Sequence, residues 1–342
     1  MKRIVAASCD AKFFPHACDL IAGIRETSSV DEILFFDLGL EPEQRAQMED
    51  LAGVRVVDYP KSLATEVYAD FLAPRMFAWK TWILREAANF GEAILYMDCG
   101  CAVLHSLQPI FDLIRHDGIF LVQDVHRSSE RTHEACFSIM QATAAERAAS
   151  QIDAGVIGYR ADTPFAKIFE EGFEYAKNRD CIFGDASVHR HDQSIYSVLA
   201  ARHAVPVTHP YGRYLHWQGI QSRDQIIWQH RGKWPAFRRL GERAKTLEPG
   251  RRIALYGAGK HTERFLMTLR NLLEPQHRVV GILDDAPKRA EIDGIAVLPT
   301  AQWESLAPNI VIASSDAHET EMLQRAYSRF RETKVWGIYE IN

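Results

Sequence analysis

At 342 residues, with 47% hydrophobic and 25% charged side chains, the chain is long and apolar enough for two cores. A net charge of -5 offers no basic surface for nucleic acid, and no apolar run is long enough to span a bilayer. The start, MKRIVAASCDAKFF, is basic but meets Asp10 and Lys12 before a signal core can form, so a cytoplasmic protein is expected, with peripheral membrane attachment left open.

The first half alternates short apolar runs with helical patterns. RIVAASCD is a strand ending at Asp10, and HACDLIAGIRETS has helical spacing. EILFFDLGL is a second strand, ending at Asp37. EPEQRAQMEDLAG opens on acids and a proline and closes on glycine, which is helix polarity. VRVVDYP is a third strand stopped by Pro60. RMFAWKTWILREAANFG reads as a helix, EAILYMD as a fourth strand and GIFLVQDV as a fifth. Near-continuous apolar strands separated by helices predict a mostly parallel sheet covered on both faces. Such sheets bind ligands at the carboxyl ends of their strands, where Asp10, Asp37 and Asp98 fall. DAGVIGYRAD follows as a strand containing Gly155, TPFAKIFEEGFEYAKN as a helix opened by Thr-Pro, and HRHDQSIYSVLAARHA as a helix with a His-Asp-Gln start.

Near Gly250 the alternation restarts. RRIALYGAGKHTERFLMTLRN is strand, glycine turn and helix. RVVGILDDAP, IDGIAVLPTAQW, NIVIASSDAHETEMLQRAYSRF and KVWGIYEI complete a second α/β pattern. The expected division is a first domain at 1–235, a linker at 236–249 and a second domain at 250–342.

The six cysteines contain no C-x-x-C pair and no zinc-ribbon spacing. Cys99 and Cys101 therefore read as small, reduced, partly buried residues.

Sugar transfer from a nucleotide must hold a diphosphate, orient the sugar and activate an acceptor hydroxyl. A strand-end acid can bind ribose or a divalent cation, and a second acid can act as general base. Asp98 suits the first role and Asp192 the second.

The ordered set FFDLGL, FAWKTWILREAANFGEAILYMDCG, DAGVIGY and HRHDQSIYSVL resembles a group of GT-A-type glycosyltransferase-like proteins. Their recurring features are an Asp-Leu-Gly-Leu strand end, a Trp-Lys helix, a Leu-Asp-x-Gly or Leu-Asp-x-Asp strand end and a His-Asp-Gln helix start. The resemblance covers most of the first two-thirds. It implies a GT-A-like, mostly parallel α/β domain, a nucleotide-sugar donor and a carbohydrate or glycoconjugate acceptor in bacterial surface-polysaccharide synthesis.

Carried over residue by residue, it implies Asp192 as the catalytic group. Asp10, Asp37, Trp79, Lys80, Asp98, Gly155, His191 and Gln193 would serve substrate, with Lys80 against the diphosphate and Trp79 stacking on base or sugar. It also implies a divalent cation, Mn2+ or Mg2+, on Asp98 and a late histidine, His216. Gly100 departs from the pattern by standing where a second acid is common, so Asp98 either shares a cation with histidines or contacts ribose or sugar with none. Each residue has a plain structural alternative: strand-end acid, solvated lysine, core tryptophan, helix N-cap for Asp192 or loop histidine.

The second half resembles the Rossmann-like domains attached to sugar-modifying enzymes. YGAGKH sits between strand and helix, the context in which amides bind phosphate. Gly257 and Gly259 would hold a nucleotide and Asp284 its ribose, although Thr262 leaves the glycine fingerprint incomplete. Two competing functions follow. One is an NAD(P)- or nucleotide-sugar-modifying enzyme working through this turn. The other is a non-catalytic nucleotide-sugar-binding protein with a degenerate transferase domain.

Overall fold

The computed structural model describes residues 1–60, 62–206, 209–230 and 232–340. It divides into two compact units, Met1–Leu215 and His216–Asn342.

The first unit is built on a seven-stranded sheet. Its strands are β1 (Arg3–Cys9), β2 (Glu32–Asp37), β3 (Val54–Asp58), β4 (Ala93–Met97), β6 (Ile119–Arg127), β7 (Ser150–Arg160) and β8 (His209–Pro210), while the short β5 (Cys101–Val103) lies outside it. The order is β3-β2-β1-β4-β7-β6-β8. Every pair is parallel except the two that β7 makes with β4 and β6. The α/β class and the mostly parallel sheet are as expected. The central strands β1, β2 and β4 are buried along nearly their whole length, because helices cover both faces and no position needs to be polar. Edge strand β3 is partly or largely exposed at every position.

The helix Asp192–Arg202 is buried on almost every side. It can lie so deep because Gly172 on the neighbouring helix Lys167–Ala176 leaves room for Tyr196. A Cβ there would stand 2.3 Å from the Tyr196 ring.

The second unit has short strands β9 (Leu215–His216, at its boundary) and β10 (Ile227–Gln229), followed by a six-stranded sheet. The latter comprises β11 (Arg252–Tyr256), β12 (Arg278–Asp284), β13 (Glu291–Ile292), β14 (Ile295–Pro299), β15 (Ile310–Ala313) and β16 (Lys334–Gly337), in the order β13-β14-β12-β11-β15-β16. Five strands are parallel and only β13 is antiparallel. Counted within the unit, the parallel strands follow the 3-2-1-4-5 order of doubly wound folds, with the switch point between β11 and β15.

Where a linker is expected at 236–249, the chain forms the helix Trp234–Lys245. The unit boundary lies earlier, at Leu215/His216. The segment after it contributes core to the second unit: Trp228 is fully buried and meets Phe237 edge-on at 5.4 Å. Among the described residues no helix is long and apolar enough to cross a membrane.

Candidate functional site

The site forms where β4 ends. β4 and β7 are antiparallel with Met97 opposite Val156, so the beginning of β7 lies beside the end of β4. The Asp98 N–H donates to Gly155 O at 2.8 Å and fixes that junction. Two helices begin at the same place. Ala78–Glu86 carries Lys80 in its first turn, and Asp192–Arg202 begins with Asp192.

The Lys80 ammonium is the centre of the cluster. It lies 3.0 Å from Asp98 Oδ1, 3.2 Å from Asp192 Oδ2 and 3.3 Å from Ala154 O. All three are acceptor oxygens, suited to an ammonium that can only donate. The side chains of Lys80 and Asp192 are 3% and 5% exposed, whereas Asp98, at 31%, is the most open of the three. Aromatic rings wall the ammonium, with the centroids of Tyr96 and Phe77 at 5.3 and 5.5 Å. The Tyr96 hydroxyl also donates to Asp98 Oδ1 at 2.7 Å.

Burial alone would drive the Lys80 pKa down, but Asp192 and Asp98 reverse the sign and hold it above the usual lysine value. Asp192 moves the other way for a carboxylate. Its burial outweighs the shared ammonium and pushes it up to about 6. Its Oδ2 meets Lys80 outside hydrogen-bonding geometry and retains an unused lone pair.

A second polar cluster adjoins the first along the chain. Asp153 accepts the Gly155 N–H at 2.7 Å and the Tyr211 hydroxyl at 2.6 Å. Asp124 Oδ2 lies 3.3 Å from the same hydroxyl and accepts from Gln193 Nε2 at 3.2 Å. Gln193 also donates to Gln151 Oε1 at 3.1 Å. Burial raises the Asp153 pKa.

Both helix starts are conformationally unusual. Phe77 and His191, the N-caps of the two helices, have φ of 56° and 52°, and neither makes a side-chain capping bond. A non-glycine residue held there costs on the order of 1–3 kcal/mol. Their rings stack at 5.2 Å with 29° between planes. His191 Nδ1 lies 3.1 Å from Ile182 O, so the proton sits on Nδ1 and Nε2 is the acceptor. Burial lowers the His191 pKa and keeps the ring neutral.

The expected residues therefore divide. Lys80, Asp98, Gly155 and Asp192 come together, with His191 adjoining Asp192 and Gln193 leading into the second cluster. Lys80 is enclosed by oxygens of its own chain, an arrangement that suits an internal counter-ion. Trp79 is buried in the core and donates its Nε1–H to Pro74 O, which opposes stacking on a ligand. Asp10 accepts the Phe13 N–H and caps the turn Ala11–Phe13. Asp37 accepts the N–H groups of Gly39 and Leu40 and pairs with Arg45 at 2.9 Å. Each of these acids thus holds loop amides with its Oδ1.

Sequence reasoning assigned no role to Tyr96, Phe77, Asp124, Asp153, Gln151 or Tyr211. The first had a signal: Tyr96 and Asp98 are two apart on an extended segment and share a face. Tyr211 had none, because its partner Asp153 is distant in sequence.

The expected cation ligands Asp98 and His216 belong to different units. His216 Nδ1 accepts the Gln218 N–H at 3.0 Å. Among the described residues no three His, Cys, Asp or Glu side chains gather as a cation site. Because Asp98 Oδ1 already has Tyr96 and Lys80 on it, the local donor set does not fit a two-carboxylate cation. The cysteines are all free, and Cys99 Sγ donates to Ser8 O at 3.2 Å.

In the second unit Gly257 has φ of 103°, a left-handed turn that leads into the helix Lys260–Leu273 through Gly259. Asp284 does not stand free there. Its Oδ2 accepts the Ala258 N–H at 2.7 Å and its Oδ1 the Ala286 N–H at 2.9 Å, so it braces the glycine turn.

No family model and no curated protein matches the chain. Solved structures that resemble it include the galactosyltransferase LgtC in complex with donor and acceptor sugar analogs, at 17% identity and a TM-score of 0.42, covering 63% of this chain and 75% of that one. The apo-form glycosyltransferase GlyE of Streptococcus pneumoniae TIGR4 matches at 12% identity and 0.44, covering 98% and 90%. The bifunctional glycosyltransferase WbbM, also apo, matches at 10% identity and 0.46, covering 68% and 46%. Likenesses of this size assign no chemistry, which rests on the geometry of the site.

Proposed function

We propose that the chain is a glycosyltransferase that moves a sugar from a nucleotide-sugar donor to a carbohydrate or glycoconjugate acceptor, in the synthesis of a bacterial surface polysaccharide. The observation that carries this reading is the buried Lys80 between Asp98 and Asp192 at the carboxyl end of β4. Carboxylates held rigidly beside the amides Gln151 and Gln193 are suited to the many hydroxyls of a sugar.

In the transfer, the bond from the anomeric carbon to the donor phosphate breaks and a bond to an acceptor hydroxyl oxygen forms. The hydroxyl proton must leave. Asp192, pushed up to about 6, is poised to take it near neutral pH. The more exposed Asp98 accepts from a ribose or sugar hydroxyl, and Lys80 holds both acids in place. Gln193 serves the acceptor side, and Gly155 presents bare backbone.

Nucleotide sugars screened against the protein by thermal shift, with Mn2+ or with EDTA, test donor class and cation dependence together. Survival of full transfer in both Asp98→Ala and Asp192→Ala would overturn the roles of these two acids.

A second reading is favoured by the glycine turn at the β11/β15 switch point. Nucleotide binding there would be lost in Gly259→Val. The bracing role of Asp284 speaks against its holding a ribose, and hence against a dehydrogenase.

A further inference from the structure

Phe77 and His191 occupy equivalent places, each immediately before a helix that supplies one half of the Lys80–Asp192 pair. An N-cap normally carries a short polar side chain that bonds the helix amides without strain. In this chain both caps are aromatic, both have positive φ and neither side chain bonds its helix. His191, with φ 52° and ψ -123°, sits where a glycine would be expected.

What holds them is each other and their surroundings. The two rings stack at 5.2 Å. His191 Nδ1–H is tied to Ile182 O, and its ring meets those of His189 and Phe183 at 5.6 and 6.2 Å. The face of Phe77 lies 5.5 Å from the Lys80 ammonium. Two strained caps that persist at one place are over-determined by packing, and such strain gathers where geometry has a task.

We infer that Phe77 and His191 are positioning residues: their stacked, left-handed caps clamp the two helix starts so that Lys80 and Asp192 meet beside Asp98 before any ligand arrives. The inference deepens the transferase reading and rests on it for its kinetic consequence, but the clamp itself has a readout without substrate. A buried, ion-paired ammonium exchanges its protons slowly, so Lys80 gives a 15N-detected NH3+ signal, assigned by its loss in Lys80→Met.

His191→Gly and Phe77→Gly relieve the strain and remove the stack. The expected result is a folded protein whose Lys80 signal broadens or vanishes through faster exchange, with kcat down about a hundredfold and KM changed far less. The double variant loses little more than either single one, because the two residues act as a unit. His191→Asn tolerates positive φ and keeps an N–H for Ile182 O but has no ring, so it loosens Lys80 partially and serves if the glycine variants fail to fold. A Lys80 signal that exchanges as in the wild type in every folded variant would overturn the clamp. If the wild type transfers no sugar from any donor, the transferase reading falls while the ammonium signal still decides the clamp.

Discussion

A single ammonium shared by two carboxylates sets the residue-scale chemistry. Lys80→Met keeps the stem and removes the charge, leaving Asp98 and buried Asp192 facing each other uncompensated. Breaking a buried pair in this way costs about 3–5 kcal/mol, read by urea denaturation, and Lys80→Met combined with Asp192→Asn should recover much of it. Unchanged stability in Lys80→Met would remove the counter-ion role. The pH dependence follows from Asp192, pushed up to about 6 from an ordinary 3.8. The native state binds this proton more tightly than the unfolded chain, so the contribution to stability is full below the unfolded value and is lost as pH rises to about 6. Relative to Asp192→Asn, the wild type should lose stability across that window and run parallel above it. Transfer should rise around pH 6 as the native carboxylate forms, and the variant should lack that limb. Asp98, Lys80 and Asp192 were legible because the sequence places each at a strand or helix terminus in a recognisable order. Asp10 and Asp37 shared that signal, yet one oxygen of each holds loop amides. A strand-end acid looks the same in sequence whether its lone pairs face inward or outward.

At the scale of elements, the deep helix Asp192–Arg202 depends on a missing side chain. Gly172→Ala would place a methyl 2.3 Å from the Tyr196 ring, which is itself fully buried. The ring cannot step aside into solvent, so the helices must separate. Overpacking of this kind costs about 1–3 kcal/mol, and the displaced helix should carry Asp192 away from Lys80. A lowered Tm with undiminished transfer would show that the helix start is held independently of its packing. The strands themselves were readable from apolar runs, but the direction of β7 was not. A strand buried on both faces has the same composition whether it runs parallel or antiparallel, and it is the antiparallel direction that brings Asp153–Gly155 to Asp98. The helix Trp234–Lys245 was legible in principle. Ala236, Phe237, Leu240, Gly241 and Ala244 form its buried stripe, and Pro235 suits its first turn. Its basic outer face obscured the pattern and suggested a connector.

The whole molecule joins two α/β units whose ligands can be separated experimentally. The unit boundary at Leu215/His216 precedes the division expected at 235; the intervening aromatics, Trp228 foremost, belong to the second core, a packing that hydropathy along the chain does not display. All members of the proposed transfer site lie in the first unit, and the glycine turn lies in the second. A donor that binds only the native state stabilises it by about 2.7 kcal/mol at a free concentration one hundred times its Kd. Scanning calorimetry of the full chain should therefore show a donor-induced rise in Tm. Because Lys80 supplies the positive charge between Asp98 and Asp192, the rise should survive EDTA, and Mn2+ alone should produce none. Asp98→Ala should abolish it, whereas Gly259→Val should leave it intact, since that turn is outside the transfer site. A shift that requires Mn2+ would return Asp98 to a cation and make the enclosed Lys80 a bystander. A shift lost in Gly259→Val would move donor binding to the second unit and leave the Lys80 cluster as a structural feature of the first.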